Sequence, residues 1–311
     1  MRFVLNYGAS GVQLFFIVSA FTILLTYGND ISWLSTLGFW IRRIFRIVPM
    51  FWIALIISVV KDRFEPRYWA PNGISWIDVS LTASFLHWIK PDSVNSVVPG
   101  GWSIAIEMLF YAIFPILYVL YRWNTLAFYA VICTVHLGAI IAKKFVLTAI
   151  FQQYFSDQPT YLTDQFLDWW LPNQILCFGF GFLLYQLKIE RVKPIFGLVI
   201  LFGAALQSEF GVKVLGLFLL AHFVVSNAYS SRILSIVGNC SYSIYIVHFL
   251  VINMWARVQG TLGLSLPFEV NCSIVISISV LLSHWVTKRF VEDNFIALGR
   301  RLVRRISTPT M

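Results

Sequence analysis

The chain has 311 residues, of which 59% are hydrophobic, 17% aromatic and only 12% charged, with a formal net charge of +9. A soluble domain carries about 25% charged residues, so half of that share cannot cover a water-soluble globule. The composition therefore excludes a soluble enzyme with one buried core, a disordered chain and a disulfide-stapled secreted module. It predicts an all-α, polytopic membrane bundle, since each span needs about 20 apolar residues.

Nine apolar runs are candidates for membrane spans, although the run 194–207 is short and contains glycine. A weaker tenth run, 74–89, is interrupted by Asp78 and several hydroxyl residues. We read 74–89 as a re-entrant or interfacial segment rather than a full span. We read 152–168 as an acidic, solvated loop, with a sugar-binding loop of aromatic and acidic residues as the alternative. Because no repeat divides the chain, we expect one membrane-embedded domain over 1–311. The predicted spans are 11–27, 44–60, 102–121, 125–142, 169–187, 194–207, 212–229, 242–258 and 267–287.

The distribution of Lys and Arg predicts the orientation of the bundle. With nine spans and a cytosolic C-terminus, 14 of the 23 basic residues lie on the cytosolic side. Ten spans with both termini inside place 15 of the 23 there, which is equally good by count. In both arrangements the positive charge is a topology signal, so no nucleic-acid partner is expected. The basic tail 288–311 is expected in the cytosol, and 288–306 is expected to be an amphipathic helix on anionic membrane lipids.

Three arginines, Arg42, Arg43 and Arg46, begin the second apolar run in the segment IRRIFRIVP. Positions 42 and 46 share one face of a helix. Arginine presents planar, permanently charged forks that suit phosphate groups. The trio is therefore a candidate phosphate site, and the alternative is a simple anchor at the cytosolic headgroups.

Glu107 is the only acidic residue in the interior of a predicted span. A carboxyl group at that depth is costly, which makes it a functional candidate by default. Ser103 and Tyr111 lie four residues to either side of Glu107, so the three predict a polar seam on one helix face. The alternative is a glutamate that only holds neighbouring helices together.

His248 lies in SYSIYIVH, on the same helix face as Ser241 and Tyr245. A neutral imidazole there suits a base, a substrate-positioning group or a hydrogen bond between helices. No metal site is predicted, because no CxxC pair or Cys/His spacing occurs. The cysteines are read as small core residues; they are Cys133, Cys177, Cys240 and Cys272.

Taken together, four segments resemble the acyltransferase-3 family of polytopic membrane acyltransferases. They are GVQLFFIVSAFTI at 11–23, RRIFRIVPMFW at 42–52, GWSIAIEMLFYAIFP at 101–115 and SYSIYIVHF at 241–249. The resemblance implies transfer of an acyl group, usually acetyl, from cytosolic acetyl-CoA to a sugar hydroxyl. The implied acceptor is a bacterial surface glycan or its lipid-linked precursor, and the implied location is the bacterial inner membrane.

The same resemblance implies roles for individual residues. The arginines of RRxxRxxP, here Arg42, Arg43 and Arg46, are implied to bind the phosphates of CoA on the cytosolic side. This favours nine spans over ten, because the ten-span arrangement places these arginines outside. Glu107 in the WSxxxE stretch and His248 in YSxYxxH are implied to be catalytic. The implied substrate-binding residues are Trp102, Ser103, Tyr111 and Tyr245.

The chain departs from the family pattern in two places. Gln13 and Ala20 replace the more usual Asp and Gly of the first motif. Family members also carry an earlier span with a histidine, which is taken as the catalytic base or a covalent acyl relay, and no histidine precedes His87 here. We therefore expect an N-terminally truncated or mis-started version of a ten-span enzyme, lacking the family's first helix, which sequencing upstream of Met1 would test.

Two other functions remain open at this stage. A transporter or flippase would move a glycan or lipid without covalent chemistry, and it should show inverted repeats or broken helices. No internal symmetry is visible in the sequence. The other possibility is an inactive remnant that only packs within the membrane, which the missing histidine favours.

Overall fold

The computed structural model describes residues 10–28, 31–155, 159–190, 194–227 and 231–307. The fold is all-α, with 83% of the structure helical, which confirms the predicted fold class. Within the described ranges no strand forms beyond a single bridge between Arg67 and Ala70. The helices are α1 Gly11–Tyr27, α2 Trp33–Asp62, α3 Trp76–Ala83, α4 Gly101–Trp123, α5 Thr125–Ala142, α6 Thr148–Tyr154, α7 Thr160–Trp169, α8 Leu171–Tyr185, α9 Ile195–Ala205, α10 Glu209–Ser226, α11 Arg232–Asn239, α12 Ser241–Leu262, α13 Phe268–Leu282 and α14 Asp293–Ser307.

Among the residues that the structure describes, five helical stretches are long and apolar enough to cross a membrane, and α1 and α9 are shorter apolar helices. A helix is present in each of the nine predicted runs. The number of true spans stays a prediction. The five stretches are Trp33–Asp62, Gly101–Trp123, Thr125–Phe151, Glu209–Ser226 and Phe268–Ile306.

The prediction of a solvated loop over 152–168 is wrong for its described C-terminal part. Thr160–Trp169 is helical, and its apolar residues Leu162 and Phe166 are buried. These two positions are four apart, so they form an inward stripe while Asp168 forms an ion pair with Lys143. The segment is therefore an amphipathic helix, although its acidic residues are typical of a loop. Residues 156–158 of the predicted loop lie outside the described residues.

The C-terminal boundary of the predicted ninth span is not a helix end. One helical stretch runs from Phe268 to Ile306, with a π-helical segment over Ser283–Glu292 between α13 and α14. The weak run 74–89 contains the eight-residue α3, which is capped by Ser75, and a three-residue 3-10 helix at His87–Ile89. Neither helix is long enough to cross a bilayer. Those lengths agree with reading 74–89 as less than a full span.

The chain folds into two compact units, so the single domain over 1–311 stays a prediction. In the first unit, α1 packs closely against α8. Gly181 permits this approach, because a Cβ there would lie 2.5 Å from the Cβ of Ala20. Phe110 and Phe178 stack beside them with ring centroids 3.8 Å apart. The first unit comprises 1–35, 87–94 and 102–229, and the second comprises 36–86, 95–101 and 230–311.

In the second unit, hydrogen bonds tie α12 to α2 and to the turn before α4. The hydroxyl of Tyr242 donates to the carbonyl of Ile47 at 2.7 Å. The hydroxyl of Tyr245 donates to the carbonyl of Gly100 at 2.9 Å. Gly100 has φ +76°, and a Cβ there would lie 2.5 Å from the ring of Phe249, so both its conformation and its surroundings require glycine.

Candidate active site

Glu107 lies on α4 with only 1% of its surface exposed. The hydroxyl of Ser19, on α1, donates to Glu107 Oε1 at 3.0 Å. The hydroxyl of Tyr111, one turn further along α4, donates to the same oxygen. The two hydroxyl oxygens lie 3.5 Å apart, so the three side chains form one buried polar cluster. We call Ser19, Glu107 and Tyr111 the carboxylate cluster.

The structure places much of the predicted seam as the spacing indicates. Glu107 and Tyr111 are in contact, and Ser103 is buried one turn earlier on the same helix. Sequence reasoning missed Ser19, although it is a hydroxyl residue within the apolar run of α1. Its pairing with Glu107 joins positions 88 residues apart, and no spacing rule predicts such a pair.

Aromatic and amide side chains lie toward the N-terminal ends of α4 and α1. Trp102 stacks on Trp169, with ring centroids 4.7 Å apart and planes at 6°, and Phe16 meets Trp102 edge-on. Gln13, where the family more usually has Asp, donates from Nε2 to Gln174 Oε1 at 3.3 Å. Flat aromatic faces and amides are the groups that commonly contact sugars, although Trp102 is itself largely buried.

The arginines of the second motif lie on α2 in the second unit. Arg42 and Arg46 are exposed, and Arg43 is half-buried with its guanidinium carbon 5.6 Å from the ring centroid of Phe39. Phe39 is itself buried, so this cation–π contact holds the guanidinium group of Arg43 in place. The exposed pair offers guanidinium groups one helical turn apart, which is a suitable arrangement for phosphate.

Sequence reasoning also missed Glu292, which is buried at the end of the π-helical segment. The hydroxyl of Ser243, itself fully buried, donates to Glu292 Oε1. The positive charges of Arg46 and Lys288 act on the Glu292 carboxyl group. In the sequence Glu292 stands in the charged stretch KRFVED, which is typical of a solvated surface, so nothing there indicated burial.

His248 is half-buried on α12, and its Nδ1 lies 3.2 Å from the carbonyl oxygen of Ile244. Because a carbonyl only accepts, we assign the proton to Nδ1, and in the neutral ring Nε2 is then the proton acceptor. The ring packs on Phe249 with centroids 3.9 Å apart. Glu107 belongs to the first unit and His248 to the second.

The nine residues predicted for the site divide into two groups by unit. The first unit holds Glu107, Ser103, Tyr111 and Trp102, and the second holds the arginines, Tyr245 and His248. Among the described residues no three His, Cys, Asp or Glu side chains form a group that would hold a metal ion. The donor hydroxyl of Tyr245 is engaged by the Gly100 carbonyl, so a role in substrate binding would use its ring or its lone pairs.

Comparison with known proteins finds one matching family and several relatives of this chain. The model of the acyltransferase-3 family, described as an acyltransferase domain, matches residues 3–287. "Exopolysaccharide production protein ExoZ" of Rhizobium meliloti is 26% identical, over 86% of this chain and 84% of its own. "Putative peptidoglycan O-acetyltransferase YrhL" of Bacillus subtilis is 30% identical, over 37% of this chain and 20% of its own. No solved structure matches.

A third relative is much longer than this chain. A "Putative O-acetyltransferase" of Staphylococcus aureus (strain COL) is 25% identical over 93% of this chain. The match covers 52% of that relative, so the chain spans about half of its length.

Proposed function

The chain belongs to the acyltransferase-3 family, and from this membership we propose that it is a membrane O-acetyltransferase of a bacterial surface glycan. The observation that carries the proposal is the carboxylate cluster, in which hydroxyls from two helices meet on one buried carboxylate oxygen. A carboxyl group buried in an apolar helix is costly, and such residues are typically functional. The family match and the relatives' names supply the reaction class.

We propose acetyl-CoA as the acyl donor, bound from the cytosolic side by Arg42, Arg43 and Arg46. Guanidinium groups suit the diphosphate and the phosphate monoester of CoA, since each presents parallel N–H donors to phosphate oxygens. The excess of basic residues on the predicted cytosolic side supports this orientation in the inner membrane, with the C-terminus in the cytosol. No metal is required by this scheme.

We propose that the acceptor is a hydroxyl group of a surface polysaccharide or of its lipid-linked precursor. One relative is named for exopolysaccharide production and another for peptidoglycan O-acetylation, which supports a glycan. Trp102 and Ser103 precede Glu107 on α4 and are proposed to contact the sugar together with Tyr111. In the second unit, Tyr245 is proposed as a substrate-binding residue. Trp169, which is half-buried and stacks on Trp102, supports this role with a partly exposed aromatic ring.

The proposed reaction joins the acceptor oxygen to the acetyl carbonyl carbon and breaks the thioester C–S bond. A base removes the hydroxyl proton during the attack, and the departing thiolate of CoA takes up a proton as it leaves. Glu107 is proposed to orient the base or to stabilise its positive charge, because hydroxyl groups hold the carboxylate in one position. His248, with Nε2 free of the Ile244 bond, is proposed to assist proton transfer.

The test is to delete the gene in its host and measure O-acetyl groups on the purified surface glycan by NMR. We expect deletion to remove acetyl groups while the amount of glycan is retained, and the complemented strain to restore them. A second arm supplies membranes with radiolabelled acetyl-CoA and measures label in the glycan. A loss of exported glycan with unchanged acetyl content would overturn the proposal and favour transport.

A further inference from the structure

The C-terminal helix α14 lies beyond residue 287, where the family match ends, and it packs on the arginine-bearing part of α2. A Cβ built on Gly299 would lie 2.8 Å from the Cβ of Phe45. At the other end of the contact, a Cβ on Gly38 would lie 3.2 Å from Val303 Cγ1. The earlier residue of α2 meets the later residue of α14, so the two helices are antiparallel.

Arg42 lies within this contact. Its Nη1 is 3.3 Å from the Cβ position of Gly38, the same point that Val303 approaches. The guanidinium group therefore folds back along α2 beside α14. At the other end of α14, the buried Glu292 directly precedes its first residue and is influenced by the charge of Arg46. Both exposed arginines of the motif thus have neighbours from the C-terminal segment.

Helical geometry places further arginines on the same side of this helix pair. Successive residues turn by about 100°, so Arg42 and Arg46 lie about 40° and 80° from the Gly38 direction that faces α14. On α14, Arg300 and Arg304 each follow a contact residue by one position and lie about 100° away in the same rotational sense.

Two antiparallel helices are related by a two-fold axis perpendicular to the plane that contains them. This rotation exchanges the helices but leaves each side of the plane in place. The helix faces reached by turning in the same sense from the two contact faces therefore lie on the same side of the pair. Helices in contact are about 8–10 Å apart, so side chains from both flanks reach a common groove. Arg301 and Arg305 lie about 200° from the contact residues and face away from α2.

We propose that α14 forms the second wall of the acyl-donor site, with Arg300 and Arg304 binding donor phosphates together with Arg42 and Arg46. The proposal rests on the donor assignment made above and extends it to residues outside the family match. The four guanidinium groups carry permanent positive charge, which is the charge that a polyphosphate ligand requires. Guanidinium pairs on facing helices suit a diphosphate, because each offers parallel N–H donors to separate oxygens.

The experiment measures binding of radiolabelled CoA to the full chain purified in an uncharged detergent. We expect R300A/R304A to raise the Kd about 10-fold, which corresponds to about 1.4 kcal/mol. R300K/R304K should stay within about threefold of wild type, since it keeps the charge but loses the fork. The matched control is R301A/R305A, which removes the same charge from the same helix and should change the Kd less than twofold.

Thermal midpoints of all variants in the same detergent identify any that fail to fold, and the lysine variant tests the proposal independently of alanine. Equal weakening by the two alanine pairs, or no weakening by R300A/R304A, would overturn the proposal. Lipid phosphate is the other source of the same chemistry. It is tested by repeating the titration in phosphatidylcholine nanodiscs with and without phosphatidylglycerol.

A difference between the two alanine pairs that appears only with anionic lipid would assign the arginines to lipid and overturn the proposal. The outcomes also separate this inference from the donor assignment. If wild type does not bind CoA, the donor assignment fails, and this inference fails with it. If wild type binds CoA and R300A/R304A binds it equally well, the donor assignment stands and only the role of α14 is wrong.

Discussion

Glu107 and Glu292 are both buried carboxyl groups, and each accepts a hydrogen bond at Oε1 from a serine on another helix. Their surroundings differ. Glu107 lies within the first third of an apolar helix, and a second hydroxyl, from Tyr111, donates to the same oxygen. Glu292 lies at the start of the basic C-terminal helix, where the charges of Arg46 and Lys288 act on it.

The difference indicates two different uses of a buried acid. Attraction to nearby cations offsets part of the desolvation cost of Glu292. Its hydrogen bond from Ser243 then holds α12 against the C-terminal segment. Two neutral hydroxyl groups donate to Glu107 Oε1, and a hydrogen bond to a charged group contributes about 1.5–3 kcal/mol. An acid within a membrane-type helix is typically functional, so we expect chemistry rather than packing to explain Glu107. The predictions below test that distinction.

The largest expected effect is that of E107Q. Glutamine preserves the shape of the side chain and can accept from Ser19 and Tyr111, but it carries no charge. We expect the rate of acetyl transfer to fall by about 10²–10⁴-fold, because a base that is no longer oriented by Glu107 loses the contribution of general base catalysis, which has that range. The measurement is incorporation of radiolabelled acetyl groups into glycan, normalised to the amount of protein in the membrane.

The matched control for this variant is E269Q, which makes the same chemical change at an exposed glutamate in the first turn of α13. Both variants should be present in the membrane at the wild-type level. Retained activity in E107Q at normal protein level would remove Glu107 from the mechanism. A loss of E107Q protein would instead reveal a packing role and place Glu107 in the same class as Glu292.

The next effect is that of Y111F, which removes one donor from Glu107 Oε1 and leaves the ring in place. A hydrogen bond to a charged group contributes about 1.5–3 kcal/mol, so we expect about a 10- to 100-fold loss of activity. Tyr118 lies on the same helix, but its hydroxyl donates to the carbonyl of Gly28 at 3.0 Å. Y118F is therefore the control, and equal loss in both variants would contradict the proposed cluster.

Hydropathy and spacing predict much of this molecule. The apolar runs predict the nine helices they belong to, because burial in lipid demands a long uncharged segment whatever its neighbours are. The i, i+4 spacing of Glu107 and Tyr111 predicts their contact within one helix. Both features depend on residues that are close in sequence, so a single sequence is enough to predict them.

The features that sequence reasoning missed depend on tertiary partners. Ser19 acquires its importance only from Glu107, which is 88 positions away, and Ser243 only from Glu292, which is 49 positions away. Glu292 stands in a charged stretch that a single sequence cannot distinguish from a solvated surface. Likewise the sequence of α7 predicts an acidic loop, because its inward stripe of Leu162 and Phe166 is short and is interspersed with aspartates.

The smallest effects, and the sharpest comparison, come from removing the two serine hydroxyls. S19A should lower acetyl transfer per folded molecule about fivefold, since Tyr111 still donates to Glu107 Oε1. S243A should leave that specific activity unchanged, because its carboxylate partner holds helices rather than reactants. Loss of a buried partner costs about 1–3 kcal/mol, so S243A should lower the thermal midpoint in detergent by several degrees.

S241A is the control for this pair, since Ser241 lies on the same helix as Ser243 but is only half-buried, and it should alter neither quantity. The two readouts separate the two uses of a carboxylate, because a purely structural role changes the folded fraction but not the rate per folded molecule. If S243A lowered specific activity as much as S19A, Glu292 would join Glu107 in the chemistry. If S19A changed only the midpoint, the carboxylate cluster would be a packing device, and the base that accepts the hydroxyl proton would have to be positioned by other residues.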